Sequence, residues 1–331
     1  MKVTELRKLL GEADRERMEK AFVESYKSVP KAKKEELDLL ITSILEGKDL
    51  KKGDKNENLD FDALEREITI FLENAYAQNY FAPNRVIPKN QRPKWRFIVK
   101  GYLKQLEKIP AESEYHPRAV KALRELYHML CYGCSFYIFS TDDTFRSIGW
   151  EQPKVFQMLV KKTFSQGYSK EDIRQMVLDG CTGGLSRECL HEEMMIVLLG
   201  ELRTSDVKYL AIEAAKELVA ERKDRLKTLK KHDYGQYDLK EAVNKLCGMI
   251  LMLSIELGDT EDGVNYFFRT SMEYSKEITL FVALRYVDFV GDDRVWMWIY
   301  EYGVKKGIEP REQLRREYEE MKRELEKGEK E

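Results

Sequence analysis

Proline, cysteine and histidine are all scarce in this 331-residue chain, at eight, five and four residues. No proline lies between Pro153 and Pro310, so nothing of that kind interrupts helices there. Five cysteines are too few to staple a chain of this length, so reduced thiols in a cytoplasm are expected. The longest apolar runs, Leu126–Phe139, Met194–Leu199 and Leu246–Leu253, fall short of the roughly 18 to 20 residues that a bilayer requires. The opening MKVTELRKLLG mixes charge with leucine and lacks the continuous apolar stretch of a secretory signal. No membrane partner is therefore expected. A glycine-rich phosphate loop, a serine elbow, an H-E-x-x-H helix and an EF-hand are all missing, and with them the commonest pointers to an enzyme. No segment alternates at period two over six residues, so essentially no sheet is expected.

Hydrophobic residues make up 43% of the chain and charged residues 35%, with a net charge of −2. That balance supports a packed protein and argues against nucleic-acid binding along the whole length. Apolar residues recur at helical spacing almost throughout, and the chain exceeds the size at which one core keeps growing. Residues 1–46 read as a small helical unit, 47–60 (GKDLKKGDKNENLD) as a polar linker, and 61–331 as the main helical array. Within the array, helices are expected at 62–80, with Asp62 and Glu65 forming its cap, and at 94–108. A central helix through Leu126–Phe139 follows, apolar nearly all round at its end and so expected to be covered on every face. Further helices are expected near 153–166, 169–179, 186–203, 205–231, 237–257, 261–275, 277–290, 293–306 and 310–328. Ser169, Asp259, Asp262, Asp292 and Asp293 are their candidate caps. Trp296 and Trp298 cannot share one helix face, so one of them is expected to be exposed.

The fold class expected is all-α, with helices stacked as antiparallel pairs in a solenoid or multi-helix array that resembles HEAT and armadillo proteins in architecture. The run Lys94-Trp95-Arg96-Phe97 with Lys100, together with the short helical N-terminus, resembles uncharacterised bacterial all-helical proteins over about a third of the chain. That resemblance implies an all-helical fold and no particular activity.

Three groups of residues carry chemistry. Cys131 and Cys134 are three apart on one helix, with Cys181 in a glycine turn and Cys189 beyond it. Zinc takes four such ligands in a tetrahedron, but this spacing inside an apolar helix fits packed thiols better. Glu125 with His128 and Glu188 with His191 repeat the Glu-x-x-His spacing by which helix bundles hold two metal ions. Each further helix would have to add a glutamate; Glu73 is available and the helix from Pro153 has none, so no cofactor is expected. From Arg85 to Lys108 there are eight basic residues and one acid, Glu107. Arg96, Lys100, Lys104 and Lys108 form a ridge four apart, whose repulsion calls for anionic neighbours: acids of an adjacent helix, a protein partner or a nucleic acid. The function expected is a non-catalytic helical scaffold or adaptor that binds another protein through its grooves. The alternatives are a metal-binding helical protein and a nucleic-acid or phosphate binder acting through residues 85–108.

Overall fold

The computed structural model describes residues 3–29, 41, 60–230, 233 and 235–328. The linker expected at 47–60 and most of 30–46 lie outside the described residues. Among the described residues there are fifteen α-helices, two short 3-10 turns and no strand, so the protein is all-α. The chain divides at Asp60 into two units. In the first, α1 (Val3–Glu12) and α2 (Arg15–Lys27) are amphipathic, and Asp14 caps α2 by accepting from the Arg17 amide at 2.8 Å.

The second unit runs α3 (Phe61–Tyr76), α4 (Trp95–Glu107), α5 (His116–Ser135), α6 (Thr144–Ile148), α7 (Gln152–Thr163), α8 (Lys170–Cys181), α9 (His191–Glu201), α10 (Ser205–Thr228), α11 (Gly235–Leu257), α12 (Thr260–Thr270), α13 (Lys276–Val290), α14 (Asp293–Lys305) and α15 (Glu312–Gly328). Each helix takes its principal packing partners from helices no more than three places away. Thus α5 lies on α3, α4, α6 and α7; α9 on α7 and α8; α10 on α8 and α11; and α13 on α11, α12 and α14.

The helix enclosed on every side is α11, whose residues from Leu246 to Ile255 are all buried. Gly248 makes this density attainable, because a Cβ there would meet the Tyr286 ring of α13 at 2.2 Å. The middle of α5 is core as expected, with Leu123, Leu126 and Leu130 inaccessible to solvent. Its C-terminal end departs from expectation. The helix stops at Ser135, and Tyr132, Phe136 and Tyr137 lie on the surface. The break arises because Phe136 turns extended, so that Ile138 and Phe139 fold back into the core; Phe139 stacks on Trp95 of α4 with ring centroids 3.8 Å apart. Apolar character all round a helix end therefore marks here a change of direction, not enclosure.

Other departures have local causes. Asp62 and Glu65 do not form the box expected at the start of α3; both carboxylates take the guanidinium of Arg118, which ties α3 to α5. The helix expected from 186 begins at His191, because side chains of other elements hold residues 184–187. The helix 144–148 has no counterpart in the sequence reading. Among the expected caps, Ser169 and Asp292 accept from the Asp172 and Val295 amides, while Asp259 instead accepts from the Tyr209 hydroxyl. Trp296 is buried and Trp298 is 38% exposed.

Candidate functional site

Four buried polar side chains, Asp143, Thr144, Gln152 and Ser186, gather where the loop after α8 crosses the C-terminal half of α5. Gly184 lies so close to α5 that a Cβ would stand 2.1 Å from the Cys131 carbonyl oxygen. Gln152, at the start of α7, donates from Nε2 to the Gly184 carbonyl at 3.1 Å and accepts at Oε1 from the Ser186 amide at 2.7 Å. Asp143 caps α6 by accepting from the Arg146 amide at 3.0 Å, and also accepts from Ser186 Oγ at 2.7 Å and the Arg187 amide at 3.1 Å. Burial pushes the Asp143 carboxyl up, but these donors more than offset it and leave it below the usual carboxylate range. The loop from Gly184 to Arg187 is thus clamped by two side chains, neither of which sequence spacing singles out.

The cysteines are parts of this packing. Cys131 Sγ accepts from Gln152 Nε2 at 3.5 Å, and Cys134 Sγ lies 3.2 Å from Thr144 Oγ1. Burial holds the Cys131, Cys134 and Cys189 thiols above their ordinary range and pushes Cys181 up to about 12. The Glu-x-x-His pairs do not converge either. His128 Nε2 lies 2.9 Å from Oδ1 of Asp179, a buried carboxylate of α8, while Glu125 pairs with Lys121 at 4.0 Å. Glu188 meets Arg146 at 3.9 Å in solvent. His191 is driven down to about 4 by burial and by the nearby Lys245 ammonium. Among the described residues no group of three or more His, Cys, Asp and Glu side chains is placed to hold a metal ion. His128 therefore joins α5 to α8, with Arg124 Nε 3.8 Å from the other oxygen of Asp179. No hydroxyl or thiol hydrogen-bonds His128 to complete a nucleophile and base pair among the described residues.

The basic ridge lies on α4. Trp95, Val99, Leu103 and Leu106 bury one face of α4. Lys162 of α7 fixes the end of the helix by donating from Nζ to the Ile109 carbonyl at 2.7 Å. Among the described residues neither Arg96, Lys100, Lys104 nor Lys108 forms an ion pair, so acids of an adjacent helix do not neutralise the ridge. Arg96 lies over the Phe97 ring at 5.0 Å and Lys100 over Trp150 at 5.9 Å. Phe97 itself is 64% exposed.

At the end of α5 is a set of surface aromatics, of which Tyr132, Phe136 and Tyr137 were expected to be covered. Tyr76 packs on Tyr132, Tyr132 stacks on Phe136 at 4.6 Å, and Phe81 stacks on Tyr137 at 5.8 Å. Gln78, with φ of 58°, donates from Nε2 to the Tyr137 carbonyl at 2.7 Å and fixes the turn between the two stacks. The Phe139–Trp95 stack, two residues beyond Tyr137, joins this patch to the start of α4.

These features define an all-α protein with a clamped interior loop, a cationic helix and an exposed aromatic patch. No family model matches the chain, and neither a curated protein nor a solved structure does. Among the described residues no helix is long and apolar enough to cross a membrane.

Proposed function

We propose that this chain is a non-catalytic helical scaffold that binds an acidic segment of another protein across α4 and the exposed aromatic patch. The observation that carries the reading is that the ridge forms no ion pair among the described residues: four cations at four-residue spacing repel one another, and a carboxylate-rich partner relieves that repulsion. The aromatics supply what charge does not. Tyr132, Phe136 and Tyr137 are 40%, 57% and 57% exposed, and exposed aromatic side chains are enriched at protein interfaces. A net charge of −2 weighs against nucleic acid, because the rest of the chain repels a long polyanion.

Two titrations at low salt test this, one with a labelled peptide alternating glutamate with leucine and phenylalanine, the other with a single-stranded oligonucleotide of equal charge. The peptide is expected to bind more tightly, and Lys100→Glu with Lys104→Glu to abolish its binding without loss of helicity. An oligonucleotide that binds more tightly than the peptide and loses affinity in the same variant overturns the reading. On a single strand, four phosphate contacts would then give a salt slope of about −3.

A further inference from the structure

A cleft of about 710 Å³ lies far along the chain from the ridge, among α10, α12, α13 and the end of α14. Four elements each send one cation to it: Lys216 from α10, Arg269 from α12, Lys276 from the first turn of α13, and Lys306 just beyond α14. Asp262 is the one carboxylate among the lining residues, so four positive charges against one negative leave three uncompensated. None of the four cations forms an ion pair among the described residues, although the neighbouring Glu277 and Arg311 pair with each other at 2.5 Å.

Aromatic rings hold three of these cations in place. Lys216 and Arg269 lie over the Tyr266 ring at 5.4 and 5.9 Å, and Lys306 lies over Tyr302 at 5.2 Å. The Tyr302 hydroxyl donates to Asn265 Oδ1 at 2.6 Å, which turns the two hydrogens of the Asn265 amide away from that bond and leaves them as further donors. Lys276 stands at the positive end of the α13 dipole, where a cation is disfavoured unless an anion is close by. Repulsion among three uncompensated charges and the placing of Lys276 are relieved together by one kind of ligand.

We propose that this cleft binds a small molecule carrying several phosphate groups. One phosphate would satisfy two of the cations, and a chain of two or three is needed to reach cations arriving from four elements. The volume is that of ordinary ligand sites. Phosphate oxygens accept from lysine, guanidinium and amide donors alike, and gain most where those donors are already held. This site is independent of the surface on α4.

Isothermal titration of the full chain with inorganic tripolyphosphate at low salt tests the assignment, with a nucleoside triphosphate as a second probe. One site per chain is expected, and Lys216→Gln combined with Lys306→Gln should weaken binding by at least about tenfold. Lys100→Glu with Lys104→Glu on α4 should leave it unchanged. Competition between the two probes for one site supports the assignment. No heat at millimolar tripolyphosphate, equal binding by the cleft variant, or loss of binding only in the α4 variant overturns it. So does an identical response to sulfate at matched ionic strength, which would mean screening without a site.

Discussion

Replacing Gly184 by alanine tests the clamp on the interior loop. A Cβ there would meet the Cys131 carbonyl oxygen at 2.1 Å and Ser135 Oγ at 2.6 Å, and the first of these is helix backbone that cannot step aside. The loop must therefore lift. Lifting it breaks the Gln152 to Gly184 bond and strains the Ser186 bonds to Gln152 and Asp143. Neutral hydrogen bonds contribute about 1 kcal/mol each and those to a charged acceptor about 1.5 to 3, and water recovers part of this, so a loss of about 2 to 5 kcal/mol is expected. Urea unfolding measures the loss through the midpoint and slope. Native-state alkylation of Cys131, followed by mass spectrometry, measures the lifting itself, since this buried thiol lies beneath the loop. A change below about 0.5 kcal/mol, with Cys131 as unreactive as before, would refute the close approach of loop and helix.

Leu126→Ala or Leu130→Ala should each cost about 2 to 5 kcal/mol in urea unfolding, because both side chains are inaccessible to solvent in α5. The stability of the array should fall as pH drops from about 6.5 to 4: the folded-state pKa of His191 is about 4, so over that window the unfolded chain takes up a proton that the folded one refuses. The contribution reaches about 3 kcal/mol at the lower end and vanishes above the upper one, so His191→Gln should flatten the profile by that amount. Equal pH profiles for the two proteins would count against it. Tyr132→Ser with Phe136→Ser should reduce acidic-peptide binding while changing the melting temperature little, since the two rings are 40% and 57% exposed.

Helix periodicity and caps made most of the array legible in the sequence, down to Ser169 and Asp292 at their helix starts. The enclosed helix was misplaced, because Leu126–Phe139 and Leu246–Ile255 are alike in composition and only tertiary folding shows that the first ends in a turn and the second does not. The clamp was invisible for a related reason: Gln152 and Asp143 act on residues 34 and 43 positions away, and no spacing rule spans such distances. Histidine and glutamate three apart on a helix suggested a shared ligand, yet His128 turned to Asp179 on a different helix, since a buried carboxylate needs a partner more than an exposed Glu125 does. The ridge itself was legible; that its cations form no ion pairs among the described residues was not.

Because each helix packs on helices within three places of it, a segment emerging from the ribosome finds its partners just made or soon to follow. Loop closures stay short, contact order stays low, and the array can be assembled in the order of translation without waiting for the last helix. The helix that waits longest is α11, part of whose enclosed stretch stays uncovered until α12 and α13 have followed it. A chain arrested between Leu257 and Val290 would thus present part of the apolar stretch Leu246–Ile255 to solvent, and over this interval of synthesis the nascent protein needs protection from aggregation.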